Sequence, residues 1–233
     1  MKKFLFIPML FLAIWTQAQI ADPTTYLTEL KSEMQIEWPK NRTINIVFHG
    51  HSVPSGYFKT PQVNTMCAYP NVFLKKLKEI YPFAVVNVIV TAKGGENSVN
   101  GAARFESDVL IHKPDVILID YALNDRGVGL EKAFTAWNQM IKQAKDRGIK
   151  VILLTPSPDK KVNYADPDNE LKKHTEQIRR LAEENQVGLV DSYKAFEFLY
   201  ADNEQLSKYM AQFNHPNELG HELIANELIK WFK

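Results

Sequence analysis

The 233-residue chain has 28 basic and 27 acidic residues and a formal net charge of +1 at pH 7. A near-neutral chain without a basic block is not expected to bind nucleic acid through its phosphates. The length fits one domain with a substantial core. The single cysteine, Cys67, excludes an intrachain disulfide. No motif surrounds Cys67, so we interpret it as a small core residue rather than a nucleophile.

Residues 1–18 have the pattern of a secretory signal peptide. Two lysines are followed by an apolar segment over residues 4–15 and by the small-x-small ending Thr16-Gln17-Ala18. The apolar segment is too short for a permanent membrane-spanning helix. We therefore expect cleavage after residue 18 and an exported protein, periplasmic or extracellular, made of residues 19–233. The residue directly after the cleavage site is Gln19 and not a cysteine, so neither a lipoprotein anchor nor another stable membrane anchor is expected.

Five short apolar segments rich in β-branched residues predict strands that are buried on both faces of a parallel sheet. These segments are residues 44–48, 83–90, 116–119, 151–154 and 187–190. A first helix is expected within residues 21–40, and the apolar spacing of a helix face recurs in 130–148, 171–182 and 224–231. The alternation predicts a single-domain α/β fold, a three-layer α/β/α sandwich around a five-stranded parallel sheet.

Four polar blocks follow the first three strands or precede the last helix. They are Gly50-His51-Ser52, Gly94-Gly95-Glu96-Asn97-Ser98, Asp120-Tyr121-Ala122-Leu123-Asn124-Asp125 and Asn214-His215-Pro216-Asn217. Parallel strands end at one edge of the sheet, where open α/β sheets bind ligands, so we expect the blocks to meet there. Phosphate-loop, dinucleotide and zinc-protease motifs are absent. His49-x-His51 has no third ligand at a matching spacing, and neither a cofactor nor a metal is expected.

Together and in this order, the blocks resemble the SGNH hydrolase superfamily, also called GDSL-type esterases. The resemblance implies a flavodoxin-like catalytic domain over residues 19–233 and a carboxylic ester hydrolase. Ser52 would be the nucleophile and His215 its general base. The oxyanion hole would consist of the backbone N–H groups of Ser52 and Gly95 and the side-chain amide of Asn124.

Each of these residues also has a purely structural interpretation. Ser52 and Gly95 could be ordinary turn residues, Asn124 could bond its own backbone, and His215 could be a structural histidine. The order of the four blocks favours the chemical roles. Gly95 is preferred to the glycine before it because Gly95-Glu96-Asn97-Ser98, with Arg104 downstream, resembles the family's Gly-Asp-Thr-Ser…Arg segment.

The sequence departs from the family pattern at three positions. His51 replaces the aspartate of Gly-Asp-Ser and places an imidazole where it could touch the substrate, and Ala122 replaces a glycine. Gln212 occupies the place of the triad aspartate, three residues before His215. We expect a serine–histidine dyad in which the glutamine carbonyl accepts a hydrogen bond from the imidazole. The alternatives are an acid from elsewhere, such as Asp202, or a weakened enzyme.

We expect an exported serine ester hydrolase that removes short acyl groups, mainly O-acetyl, from a carbohydrate. The substrate class, a small-molecule or polysaccharide ester, follows from the resemblance and the signal peptide. Tyr57, Phe58 and Tyr164 are aromatic residues in the expected ligand-side loops, the last of them within the polar segment 155–169. A non-catalytic glycan-binding protein on the same scaffold, or a lipid-type esterase or acyltransferase, are the alternatives. The sequence leaves the oligomeric state open.

Overall fold

The structure is a computed structural model, and it describes residues 19–233. Within that range, five parallel strands form one sheet in the order β2-β1-β3-β4-β5. The strands are β1 Thr43–Gly50, β2 Val85–Val90, β3 Val116–Asp120, β4 Lys150–Leu154 and β5 Gly188–Val190. The predicted five-stranded parallel sheet is confirmed. β2 lies on one side of β1 and β3 on the other, so the direction in which strands are added changes at β1. Open α/β sheets bind ligands at such a point.

Helices connect the strands and cover both faces of the sheet. The α-helices of the described range are α1 Thr28–Glu33, α2 Ser52–Ser55, α3 Tyr69–Ile80, α4 Ser98–Ala103, α5 Phe105–Asp108, α6 Ala122–Asp125, α7 Leu130–Lys145, α8 Glu170–Asn185, α9 Ser192–Ala195, α10 Asn203–Ser207 and α11 Glu218–Ile229. Short 3₁₀ turns cover Thr65–Cys67, Leu110–His112, Glu197–Leu199 and Lys230–Phe232. None of the helices between residues 19 and 233 combines the length and the apolar character needed to cross a membrane.

The two faces of the sheet carry separate hydrophobic cores, because successive strand residues point to opposite sides. Phe48 of β1 packs in a core that includes Phe73 of α3 and Leu228 of α11. The preceding residue, Val47, packs in the other core with Trp137 of α7. Full burial of such a side chain contributes about 1.5–3 kcal/mol. The predicted three-layer sandwich is therefore present, and β1, which carries both side chains, leads directly to the serine block.

The register of β1 and β3 aligns the block that contains Ser52 with the block that contains Asn124. Gly50, the last residue of β1, pairs with Asp120, the last residue of β3. The N–H of His51 then donates to the carbonyl of Asp120 at 3.2 Å. Residues that follow the two strands therefore start from the same level of the sheet edge.

One predicted element differs from the structure: within residues 21–40 only Thr28–Glu33 is helical. The polar segment 155–169 contains no helix or strand, as predicted for a loop, and its residues 155–159 are buried. Their polar groups are paired inside the protein: Thr155 Oγ1 donates to Asp191 at 2.9 Å, and Arg126 forms an ion pair with Asp159 at 2.6 Å. Hydrogen bonding of this kind permits a polar loop to be buried. The predicted signal peptide, residues 1–18, lies outside the described residues and stays a prediction.

Candidate active site

Ser52 is the first residue of α2, the short helix that follows β1. The helix begins there because the side chain of His51 accepts a hydrogen bond from the N–H of Val53 at 3.2 Å. It ends at Gly56, whose φ of +85° lies in the left-handed region that favours glycine. The resulting tight turn leaves Ser52 only 6% exposed at the edge of the sheet.

His215 lies in the segment between α10 and α11, and its Nε2 is 2.9 Å from the Oγ of Ser52. The segment closes on itself, because the N–H of Ala211 donates to the carbonyl of His215 at 2.9 Å and Met210 pairs with Pro216 in a β-bridge. The structure therefore brings together a hydroxyl and an imidazole that lie 163 residues apart in the sequence. The distance suits proton transfer from the serine to the histidine.

The other ring nitrogen of His215, Nδ1, has two polar neighbours. The carbonyl oxygen of Phe58 is 3.2 Å away, and the side-chain nitrogen of Gln212 is 2.8 Å away. The expectation that Gln212 presents its carbonyl to the imidazole is wrong. The N–H of Thr60 donates to that carbonyl at 3.0 Å, and the side-chain oxygen of Asn214 accepts from the amide nitrogen at 3.3 Å. These two partners turn the nitrogen of the amide toward the histidine.

The two neighbours of Nδ1 favour opposite tautomers of the imidazole. The carbonyl of Phe58 accepts a proton on Nδ1 and leaves Nε2 free to receive the proton of Ser52. The amide of Gln212 donates to Nδ1 and leaves the ring proton on Nε2, where it blocks that transfer. Asp202 does not supply an acid here, because its exposed carboxylate caps α10 by accepting from two N–H groups of the first turn.

His51 does not face the position of a substrate. Its side chain is fully buried, enclosed between the start of α2 and Asp120, with Nε2 at 3.3 Å from the Asp120 Oδ1. The sequence left open whether this imidazole touches the substrate, and its complete burial argues against that contact. The replacement of glycine by Ala122 is accommodated, because Ala122 is a buried residue at the start of α6.

Gly94 and Gly95 follow β2 and differ in their surroundings. Gly95 has a φ of +75°, which lies in the left-handed region that favours glycine. A Cβ built on Gly95 would meet no atom within 4 Å, so its Cα faces open space. A Cβ on Gly94 would lie 2.9 Å from the ring of Tyr57. The same ring lies 6.1 Å from the imidazole of His215, between the glycine loop and the histidine.

Asn124 lies in α6, after β3, and its amide nitrogen donates to the carbonyl of Glu96 at 2.9 Å. This bond attaches Asn124 to the loop that contains Gly95 and leaves its second amide hydrogen available. Among residues 19–233, the backbone N–H groups of Ser52 and Gly95 have no hydrogen-bond acceptor. The three groups named from the sequence are thus free donors on neighbouring elements, and their role as an oxyanion hole stays a prediction.

Two supporting contacts around this loop were missed from the sequence. Asp125 accepts from the N–H of Ser98 at 2.8 Å and from the indole of Trp137 at 2.7 Å, which fixes the start of α4 against α7. Arg104 forms a partly buried ion pair with Glu96, which also accepts from Tyr121. An acid after the asparagine and an arginine downstream of the glycine are visible in the sequence, but their partners are not.

The surroundings of His215 give an expected pH dependence. Burial lowers its pKa below the ordinary value of 6.5, although the carbonyl of Phe58 acts in the opposite direction. A general base must be neutral, so kcat/KM for ester hydrolysis should persist as the pH falls through 6.5 and decline only at a lower pH. The measurement is a pH profile of kcat/KM with p-nitrophenyl acetate, corrected for hydrolysis without protein. A decline centred at or above pH 6.5 would contradict the lowered pKa.

A cavity of about 600 Å³ opens beside the segment that carries His215. Lys160 lines it, and the N–H of Lys160 donates to the carbonyl of Phe213 at 2.7 Å. The wall contains three tyrosines, of which Tyr164 and Tyr200 stack at 3.8 Å and Tyr193 lies 4.9 Å from Tyr200. Of these three tyrosines, only Tyr164 was identified from the sequence as an aromatic ligand-side residue. In the part of the chain that the structure describes, no three His, Cys, Asp or Glu side chains are grouped as metal ligands.

A model of the GDSL-like lipase/acylhydrolase family matches residues 48–223. This range runs from β1 into α11 and includes all four blocks. No curated protein sequence matches the chain.

Solved structures of esterases have a similar fold. Axe2, an acetylxylan esterase from Geobacillus stearothermophilus, is 21% identical over 81% of this chain and 94% of its own, with a TM-score of 0.66. A two-domain esterase (CEX) active on acetylated mannans is 20% identical over 89% of this chain and 52% of its own, with a TM-score of 0.70. A protein of the G-D-S-L family from Desulfitobacterium hafniense DCB-2 is 24% identical over 80% of this chain and 98% of its own, with a TM-score of 0.66.

Proposed function

Because the chain belongs to the GDSL-like lipase/acylhydrolase family, we propose that it is an exported serine esterase that removes O-acetyl groups from a carbohydrate. Membership of the family confirms the predicted class, carboxylic ester hydrolase. The single observation that carries the catalytic assignment is the 2.9 Å contact between the Oγ of Ser52 and the Nε2 of His215. Acyl transfer needs such a nucleophile and base.

The first half of the proposed reaction transfers the acyl group to the protein. The Oγ of Ser52 attacks the ester carbonyl carbon, and its proton passes to the Nε2 of His215. The tetrahedral oxyanion accepts hydrogen bonds from the N–H groups of Ser52 and Gly95 and from the side-chain amide of Asn124. Each such donor is worth about 3–4 kcal/mol in the transition state. The C–O bond of the leaving alcohol then breaks, and His215 returns the proton to the alkoxide oxygen.

The second half releases the acid. A water molecule gives a proton to the Nε2 of His215 and attacks the acyl carbon, and the same donors stabilise the new oxyanion. Collapse breaks the bond to the serine oxygen, which recovers its proton from His215. In both halves the carbonyl of Phe58, at 3.2 Å from Nδ1, accepts the Nδ1 proton and holds the productive tautomer.

The position of Tyr57 supports a short acyl group. Its ring fills the space between the glycine loop and the imidazole, in contact with Gly94 and 6.1 Å from His215. An acetyl group fits beside such a ring more readily than a long chain. A lipid-type esterase should hydrolyse p-nitrophenyl octanoate as fast as the acetate, and that result would contradict the proposal.

The carbohydrate part of the proposal has two supports. Axe2 and the mannan-active esterase, whose fold this chain shares, act on acetylated xylan and mannan respectively. The cavity is lined by the three tyrosines and by polar residues, among them Asn163, Lys172 and Glu197. Pockets of this size hold small ligands. The cavity lies beside the His215 segment, because Lys160, which lines it, donates a backbone hydrogen bond to the carbonyl of Phe213.

We expect Tyr164→Ala to raise the KM for an acetylated oligosaccharide about tenfold, because a lost aromatic contact costs on the order of 1 kcal/mol. Hydrolysis of p-nitrophenyl acetate, which has no sugar to place in the cavity, should change much less. Kinetics with both substrates measure this difference. A matched control is Trp38→Ala, which removes an aromatic ring that is 84% exposed and precedes β1, at the opposite edge of the sheet. Equal effects on both substrates would remove the cavity from substrate binding.

The direct test of the function is the release of acetate from acetylated xylo- and manno-oligosaccharides, followed beside p-nitrophenol release from p-nitrophenyl acetate. Release from the chromogenic ester alone would support an esterase but contradict the carbohydrate substrate. No release from any ester would contradict the esterase.

Export is a separate proposal, and the N-terminal sequence of the protein recovered outside the cytoplasm tests it.

A non-catalytic glycan-binding protein is the second candidate, because the amide nitrogen of Gln212 lies 2.8 Å from Nδ1 and favours the unproductive tautomer of His215. This candidate predicts saccharide binding without turnover. It also predicts that a fluorophosphonate does not label Ser52, since an unactivated hydroxyl reacts poorly. Covalent labelling detected by mass spectrometry at Ser52 would decide for the esterase.

A further inference from the structure

Next to Ser52 in the sequence and in the fold lies a buried polar group that the proposed reaction does not use. His51 is fully buried, Asp120 is 4% exposed and Tyr69 is fully buried. Charged and polar side chains are rarely this buried unless they are paired. Because these side chains lie directly beside Ser52, their contacts can affect how the serine is positioned.

The contacts define one proton arrangement. The Nδ1 of His51 accepts from the N–H of Val53 at 3.2 Å, so the ring proton is on Nε2. That nitrogen is 3.3 Å from Oδ1 of Asp120, a close polar contact without the alignment of a hydrogen bond, and neither atom has a hydrogen-bond partner among residues 19–233. The second oxygen of Asp120 accepts from the hydroxyl of Tyr69 at 3.0 Å. The imidazole thus connects a carboxylate on β3 to the first turn of α2.

We propose that His51 and Asp120 together replace the single aspartate of the Gly-Asp-Ser pattern and act as positioning residues for Ser52. An aspartate at position 51 could accept directly from the first turn of the helix, as N-cap aspartates do. Here the carboxylate is on the neighbouring strand instead, where Gly50 pairs with Asp120, and the imidazole spans the gap. The inference rests on the proposed function, because the group that is positioned is the nucleophile.

The consequence for catalysis is geometric. The N–H of Val53 is fixed by the imidazole, and the carbonyl of His51 accepts from Ser55 Oγ at 2.9 Å. The N–H of Ser52, an oxyanion donor in the proposed reaction, belongs to the same peptide group as the His51 carbonyl and directly precedes the peptide of the Val53 N–H. Small displacements of such donors reduce transition-state stabilisation more than substrate binding. Loss of the pair should therefore lower kcat and leave KM largely unchanged.

The proposal predicts a specific dependence between two substitutions. His51→Asp places a second buried carboxylate beside Asp120, and like charges in contact are strongly unfavourable. We expect kcat on p-nitrophenyl acetate to fall about tenfold, within the range of couplings measured between contacting residues. Adding Asp120→Asn removes one charge and supplies an amide donor to the introduced carboxylate. The double variant should recover most of that loss, whereas Asp120→Asn alone should lower kcat to a smaller extent than His51→Asp.

His49→Asp is the matched control. His49 is equally buried and lies in β1, two residues before His51, but its ring nitrogens contact Thr91 at 2.8 Å and the carbonyl of Gly101 at 3.1 Å instead of Asp120. Asp120→Asn should therefore not rescue His49→Asp. Rescue of both variants, no rescue of His51→Asp, or a His51→Asp protein with the wild-type kcat would each overturn the proposal.

Melting temperatures of the same variants separate this inference from the proposed function. The repulsion between two buried carboxylates should lower the melting temperature of His51→Asp, and Asp120→Asn should restore it whether or not the protein hydrolyses esters. A wild-type protein without esterase activity but with this pattern would refute the proposed function and retain the pairing. Restored melting with unrestored kcat would show a purely structural pair and overturn the positioning role.

Discussion

Ser52→Ala should lower kcat for p-nitrophenyl acetate by a factor of at least about 10⁴, since loss of a catalytic serine in serine hydrolases costs up to about 10⁶. The substitution removes the only atom that forms the acyl bond, and the remaining donors can still polarise a bound carbonyl. KM should therefore change little. Stopped assays over several hours, with protein purified separately from the wild type, measure the residual rate.

Ser55→Ala provides the control for this result. Ser55 is in the same short helix, and its hydroxyl donates to the carbonyl of His51 at 2.9 Å rather than to His215. Its loss should cost far less activity than the loss of Ser52. Equal activity of Ser52→Ala and the wild type would refute the nucleophile assignment.

Gln212→Glu should raise kcat about 100-fold. The amide of Gln212 points its nitrogen at the Nδ1 of His215 because its oxygen accepts from the N–H of Thr60. A glutamate of the same shape can accept from Thr60 with one oxygen and from the Nδ1 proton with the other, and its charge stabilises the imidazolium. In a serine protease, the change from a carboxylate to an amide at the equivalent place lowers turnover about 10⁴-fold. A smaller gain is expected here because the carbonyl of Phe58 already supports the productive tautomer.

The measurement is kcat and KM for p-nitrophenyl acetate above pH 7, where the carboxylate is ionised. Asn214→Asp is the matched control, since it adds an acid to the same segment at a side chain that contacts Gln212 rather than the ring of His215. It should not give a comparable gain. A Gln212→Glu protein that is no faster than the wild type would show that the amide does not limit the reaction.

The order of the blocks and the apolar periodicity are sufficient to predict the sheet and the meeting of Ser52 with His215. Strand ends in a parallel sheet share one edge, so residues after β1 and β3 and before α11 can be placed without knowing side-chain contacts. The fold therefore follows largely from local sequence patterns, and the class of reaction follows from the resemblance of the four blocks to the SGNH family. Burial of residues 155–159 was missed, because a polar composition does not reveal which internal partners satisfy the loop.

The orienting group behind His215 could not be predicted from the sequence. It depends on the path of the segment that contains Phe58 and Thr60, and that segment has no periodic pattern. It also depends on which end of the Gln212 amide meets the backbone N–H of Thr60. The pairing of His51 with Asp120 depends on the cross-strand register of Gly50, which composition and spacing do not specify. Such contacts arise from tertiary packing. The sequence placed Gln212 beside His215 but predicted the wrong end of its amide toward the ring, and it left the partner of His51 open.

The separation of 163 residues between Ser52 and His215 has a consequence for how the site appears in time. During synthesis β1, which leads to Ser52, is made long before the segment of His215, and closing so long a loop has an entropic cost that the packing of α11 offsets. A chain synthesised only as far as α10 contains the hydroxyl of Ser52 without His215. If the proposed mechanism holds, such a chain has no base for the serine.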